Sequence, residues 1–318
     1  MSSLASAAPT AVIRGRTAPP GAAARRTLPS AATQRAPYLF IAPFYLLYVL
    51  FMIVPIVAAL FLSLTSWVGL GTPDFVGLRN YGNLLGDSSF WTAAGNSGLY
   101  VLVAVVLVVP CSLLIAQALN ARGLRARDLF RVTYFVPMVV SPIVVALIFS
   151  MLLDTEYGLV NSFLHAAFGL PGVDWLTDPS WARASVSFVL LWRWVGYLTI
   201  FFLAGLQAVP RELYEAAELD GAGPVRSFTT VTLPAIKPVT AFVVVTSFIS
   251  AAQLFDEPYL LTGGGPGEST LSLAMFVYRA AFERQQFGYA AAAGVLLFVL
   301  VFAVSQLLNR ALQIGRAA

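Results

Sequence analysis

Gly263-Gly-Gly-Pro-Gly-Glu-Ser-Thr270 has the glycines and hydroxyls of a loop that cradles phosphate. Such a loop needs a lysine directly before its Ser or Thr to reach the phosphates. Glu268 stands there instead, and the only lysine, Lys237, lies between Ile236 and Pro238. The chain therefore has no means of hydrolysing ATP by itself, and the glycines read as a turn outside the membrane. Ser162 and His165 are spaced as a nucleophile and base one helical turn apart. No carboxylate completes that pair, so His165 reads as a surface residue and a membrane hydrolase is disfavoured. Cys111 and His165 are each the sole residue of their type, which excludes an internal disulfide and a multi-His or multi-Cys metal site.

Arg193 is the one charge well inside an apolar run. An intramembrane charge costs at least about 2.5–3.5 kcal/mol on insertion scales, so it should face a cavity or a partner. Alternatively, it snorkels to the outer interface, because it lies toward one end of its run. Trp192, Trp194 and Tyr197 flank it, and Ser250 and Gln253 are polar positions in the next apolar run. Trp192, Arg193, Tyr197, Ser250 and Gln253, with Asp256 at the end of that run, are the candidates for lining a solute path.

The elements that position these residues are membrane spans. Of 318 residues, 58% are hydrophobic and only 11% charged. A soluble domain carries about 25% charge, so most of this chain must face lipid or other apolar helices. A span needs about 20 apolar residues. Charge-free gaps predict six helices, at about 38–64, within 88–121, at about 132–153, 184–209 and 239–255, and within 285–309. The segment 271–284 is too short to cross. Leu271, Met275, Tyr278 and Phe282 recur at helical spacing, which predicts an outside helix against the bundle. Residues 1–36 are rich in Ala, Pro, Ser, Thr and Arg without acid. They read as a disordered basic tail rather than a transit peptide.

Lys and Arg set the orientation. Fourteen fall on one side, among them Arg14 to Arg35, Arg122 to Arg131, Arg211, Arg226, Lys237, Arg310 and Arg316. Only Arg79, Arg183, Arg279 and Arg284 fall on the other. Both termini are thus predicted cytoplasmic. Acidic residues, Asp256 and Glu257 included, lean outward, and none is expected deep in a span. Trp67, Trp91, Trp175 and Trp181 suit anchoring at the interface, and their loops could also receive an external partner.

Between the fourth and fifth spans lies a polar stretch, 210–238. Pro210 suits a first helical position and Glu212 the first turn. The helix should end near Leu219, with Gly221 and Gly223 permitting a sharp turn. A second helix restarts after Pro224, with Phe228 and Val231 on its apolar face. Ala216 and Ala217 offer a small surface rimmed by Glu212, Glu215, Glu218 and Asp220.

Glu215-Ala-Ala-x-x-Asp220-Gly-Ala, followed by Phe228, Leu233-Pro234 and Pro238, resembles the EAA loop of binding-protein-dependent ABC importer permeases. Asn161, Trp175-Leu176, Trp192 and Leu203-Ala-Gly-Leu-Gln207 resemble the stretch before that loop in sugar permeases of the maltose and glycerol-3-phosphate type. Leu261-Thr-Gly-Gly-Gly-Pro266, Ser269-Thr270 and Gly288-Tyr289-Ala290 resemble the stretch after it. The resemblance covers most of residues 38–312. It implies an all-α, six-span type I ABC importer transmembrane domain over 37–318, forming half of a pore in a bacterial plasma membrane. It implies no enzyme activity in this chain, with ATP and Mg held by two cytoplasmic ABC ATPase subunits. It also implies a second permease subunit, usually a different chain, and an extracellular or periplasmic solute-binding protein, with lipid but not nucleic acid as surroundings. Glu215, Ala216, Ala217, Asp220 and Gly221 are the positions it assigns to ATPase coupling. For the solute it implies a sugar or sugar-like molecule, which aromatic faces stack on and Arg and Tyr hydrogen-bond. The competing reading, an ion-coupled secondary transporter, requires internal acidic relays and inverted repeats. The spans show no acid, and the polar stretch occurs once.

Overall fold

A computed structural model describes residues 31–121, 133–134 and 136–312. The first thirty residues of the expected tail, and Arg122, Arg125, Arg127, Arg131 and Arg316, lie outside them. Contacts divide the chain into two units, Met1–Val54 and Pro55–Ala318. The first contains helix Ala31–Tyr48, which starts within the expected tail, and a π-helical turn, Val49–Ile53. By length and composition Phe40–Ser63 qualifies as a span.

In the second unit, Ser88–Asn120, Pro179–Gln207 and Phe287–Ala311 also qualify, and the bent pair Pro224–Ala235 and Lys237–Ala252 counts as one broken span. The expected third span appears among the described residues as the short helix Pro142–Leu152, after helical pieces at 133–134 and 136–139. Caps set the starts. Asp87 Oδ1 accepts from Ser89 N at 2.8 Å and opens the second span. Asp178 Oδ1 accepts from Ser180 N and Trp181 N at 2.9 and 3.0 Å, and Pro179 holds the first helical position. The fourth span therefore begins at Pro179 rather than near 184, which puts Arg193 at its midpoint.

The second and fourth spans run parallel. Near their starts, Tyr100 packs with Val186 and Val189. Further along, Ser112 Oγ lies 3.0 Å from Val195 O, and Leu119 shares a buried cluster with Leu206. Asp87 therefore stands at the end of the bundle opposite Gln207. Gly196 allows Tyr134 to approach the fourth span, because a Cβ there would collide with the Tyr134 carbonyl.

The segment after the fifth span is folded inward. Leu273–Tyr278 packs against the second and sixth spans, with Leu271, Met275 and Phe276 buried. The glycine stretch before it is not simply an outside turn. Ser269, Thr270 and Ser272 are buried, and the second span satisfies the loop's backbone. Asn96 Nδ2 donates to Glu268 O and Leu271 O, Tyr100 O–H donates to Thr270 O, and Leu273 N donates to Ser97 Oγ. Backbone taken out of water needs such partners, and these three polar side chains of the second span provide them.

Candidate functional site

The polar stretch forms helix Arg211–Leu219, preceded by Pro210 as its cap rather than its first residue. Glu212 lies in the first turn, as expected. Gly221 has φ +75°, Gly221 N donates to Glu218 O at 3.0 Å, and Ala222 N donates to Ala217 O at 2.9 Å. This is a Schellman ending, in which a left-handed residue lets two backbone bonds satisfy the helix's last carbonyls. The chain then turns into Pro224–Ser227, a π-helical turn Phe228–Thr232 and Leu233–Ala235. It bends 71° at Ile236 into Lys237–Ala252.

Tyr214 and Ala217 are the half-buried positions of the helix, and the Tyr214 hydroxyl lies 3.1 Å from Thr232 Oγ1. The helix is thereby fastened to the lead of the fifth span as well as to the end of the fourth. Glu215, Ala216, Glu218, Leu219 and Asp220 are exposed. The two alanines are not equivalent: Ala216 lies on the free face and Ala217 on the face turned toward the bundle. Leu213, Leu219 and Val225 are exposed large apolar residues, with Leu219 at 90%. Sequence reading assigned no role to these three. A groove of about 460 Å³ between Asn120, Ala121, Gln207, Arg211, Tyr214 and Glu218 adjoins the helix.

The candidate solute-path residues are dispersed. Trp192 is 38% exposed and packs edge-on against Phe149 at 5.2 Å. Tyr197 packs against Trp194 and Phe201 at 5.9 and 5.1 Å. Ser250 shares a water-sized cavity with Trp194, Leu198 and Ser247, and Trp194 Nε1 is buried with no hydrogen-bond partner among the described residues. Gln253 is exposed where the fifth span ends. Within this chain, then, Trp194 rather than Trp192 shares a cavity with Ser250.

Arg193 is 9% exposed and does not snorkel. Its Nη1 lies 3.0 Å from Glu257 Oε1 and 3.8 Å from Asp256 Oδ2, and its Nε is buried with no hydrogen-bond partner among the described residues. Glu257 is 5% exposed. This corrects the expectation that acid stays outside, because helix Asp256–Thr262 tucks back against Pro142–Leu152 and the fourth span. A proline directly after Glu257 and the proximity of a span end were the available hints, and neither indicates burial.

The family model described as "Binding-protein-dependent transport system inner membrane component" matches residues 108–314. The chain is 38% identical over 284 residues to the probable ABC transporter permease protein YurN of Bacillus subtilis, covering 88% of this chain and 97% of that one. It is 38% identical to the lactose transport system permease protein LacF of Rhizobium radiobacter, covering 84% and 91%. It is 36% identical to the arabinooligosaccharides transport system permease protein AraP of Bacillus subtilis, covering 85% and 86%. Among solved structures, a chain of a bacterial ABC transporter involved in alginate import superposes with a TM-score of 0.76 at 23% identity, covering 88% and 95%. That likeness shows the fold.

Proposed function

From the premise that this chain belongs to the binding-protein-dependent transport system inner membrane component family, we propose that it carries a saccharide across a bacterial plasma membrane as half of a two-permease pore. As a member of that family it is a multi-pass permease subunit of an ABC importer and a transport component rather than an enzyme, and a binding protein delivers its solute. The observation that carries the solute class is identity of 36–38%, over most of both chains, to permeases named for lactose and arabinooligosaccharides.

In this reading, two cytoplasmic ATPase subunits hold ATP and Mg and drive the cycle. Helix Arg211–Leu219 seats in one of them by its exposed Glu215, Ala216 and Asp220. Ala217 and Gly221 hold the Schellman turn that orients this face. Pro210 joins the helix to the fourth span, and the Tyr214–Thr232 contact joins it to the lead of the fifth. A push on the helix therefore acts on two spans together. The second permease is a different chain, both termini face the cytoplasm, and Trp192, Arg193, Tyr197, Ser250 and Gln253 border the solute's route, with Arg193 acting through its ion pair.

The test is reconstitution of the transporter in proteoliposomes with its binding protein and internal or external ATP. Uptake of radiolabelled lactose, maltotriose or arabinotriose only when ATP faces the coupling-loop side is the expected result. ATP-independent uptake abolished by an ionophore would overturn the proposal in favour of ion coupling.

A further inference from the structure

The end of the bundle opposite the coupling helix carries a polar cleft of about 450 Å³. Its walls are Ser66, Trp67 and Val68 after the first span, Asn80 and Asn83 of helix Arg79–Leu85, Asp87, and Arg284, Gln286 and Tyr289 at the start of the sixth span. Small-molecule sites occupy about 300–1,000 Å³, so the cleft has room for a compact ligand. Nothing in the coupling mechanism uses it.

Two hydrogen-bonded pins hold its floor. Asn80 Nδ2 lies 2.9 Å from both Ser63 O and Thr65 O, and the Tyr289 hydroxyl donates to Asp87 Oδ2 at 2.7 Å. The Thr65–Ser66 and Asp74–Phe75 strands pair antiparallel behind Trp67. Trp67 Nε1 donates to Gly71 O, and its ring packs on Phe287 at 5.5 Å. With its one N–H engaged, the indole offers only ring surface. Gly69 has φ +90°, and the Phe287 ring lies 2.7 Å from where a Cβ would sit, so this wall needs a glycine.

The rim is different, because its polar groups are free. Asn83, Arg284 and Gln286 are exposed, and their side chains have no hydrogen-bond or ion-pair partner among the described residues. Together with the lone pairs left on Asp87, they offer two amides, a guanidinium fork and a carboxylate, with an aromatic ring among them.

We propose that this cleft, formed by Trp67, Asn83, Asp87, Arg284 and Gln286, is a saccharide-binding subsite at the mouth of the chain, distinct from any site between the spans. The mixed charge disfavours a simple anion, since Asp87 offsets Arg284, and the polar lining does not suit a lipid tail. A neutral polyhydroxylated ring fits both parts. Its hydroxyls both donate and accept, matching planar amide, carboxylate and guanidinium groups, while its C–H face covers the indole. Such a subsite would hold one end of a released sugar at the mouth before it descends.

The proposal rests on the saccharide reading, so the test begins with uptake. The complete transporter, in proteoliposomes with its binding protein, is assayed with radiolabelled lactose, maltotriose and arabinotriose. If none is imported, the saccharide reading fails and this proposal fails with it. An imported sugar is then given a diazirine at its reducing end and photolysed with the complex, and labelled peptides are mapped. Label within 66–68 or 284–286, reduced at least fivefold in N83A/R284A, is the expected result. Both substituted residues are exposed, and co-purification of the ATPase reports that the variant complex is assembled. Label confined to the spans, or unchanged in the variant while uptake proceeds, overturns the subsite and leaves the saccharide reading standing. Variants that weaken only binding-protein docking, with labelling unchanged, make the cleft a protein-docking surface and also overturn it.

Discussion

Arg193 Nη1 and Glu257 Oε1 lie 3.0 Å apart and join the midpoint of the fourth span to the short helix that follows the fifth. Both side chains are at most a tenth exposed, so neither charge has water as a substitute partner. Breaking a buried pair from one side costs about 3–5 kcal/mol, whereas replacing both partners with apolar groups is often near neutral. Glu257→Ala is therefore expected to lower the thermal unfolding midpoint of the detergent-solubilised complex. The double variant Arg193→Leu/Glu257→Leu should recover most of that loss. If the double variant is as unstable as the single one, Arg193 has an additional role at its position.

Gly221 separates backbone conformation from packing. A Cβ at this position would meet nothing within 4 Å, so the φ of +75° alone demands glycine. A left-handed backbone costs an ordinary residue roughly 1–2 kcal/mol, and asparagine less. Gly221→Asn should keep co-purifying ATPase, and Gly221→Val should lose most of it. Equal retention by both would show that the Schellman turn does not position the coupling face.

The two alanines of helix Arg211–Leu219, proposed to couple to the ATPase, should respond differently. Ala216→Arg places a bulky cation on the free face and is expected to abolish ATPase co-purification without changing the unfolding midpoint. Ala217→Arg puts the same group beside Tyr214, and should lower the midpoint as well. Pull-down and thermal unfolding on the same preparations check this. A midpoint unchanged in both would contradict the assigned faces.

Asn161 ties together the loop that precedes the fourth span. Its Nδ2 donates to Thr155 O and Val173 O at 3.0 Å, and its Oδ1 accepts from Val173 N and Trp175 Nε1 at 3.1 and 2.8 Å. Removing the amide strands several half-buried partners, each costing about 1–3 kcal/mol if left unsatisfied. Asn161→Ala should raise amide hydrogen exchange across 154–175 by at least tenfold while leaving Ser88–Asn120 protected. Unchanged exchange in 154–175 would mean that Trp175, edge-on to Trp181 at 4.8 Å, holds the loop without it.

The sequence by itself determined the long spans and the turn after helix Arg211–Leu219, because both rest on local signals. Apolar runs without charge identify a lipid-facing helix, and Pro210, Glu212, Gly221 and Pro224 punctuate a helix wherever it lies. Glu212, Gly221 and Pro224 take the first turn, the left-handed turn and the restart expected of them, while Pro210 stands one residue before the helix rather than at its first position. Tertiary structure decided the rest. Ala216 and Ala217 are adjacent and identical, and only their burial in the folded chain, beside the Tyr214–Thr232 contact, shows which one faces the bundle. Glu257 looked like a loop acid because sequence places it beyond a span end. It is buried because helix Asp256–Thr262 folds back against Pro142–Leu152 and the fourth span, where Arg193 meets it. The polar cleft at the end of the bundle is assembled from 66–68, 80–87 and 284–289, segments separated by more than two hundred residues. No local pattern marks such a site, since hydropathy and capping act over one or two helical turns. Burial and convergence are set by which distant surfaces close on one another.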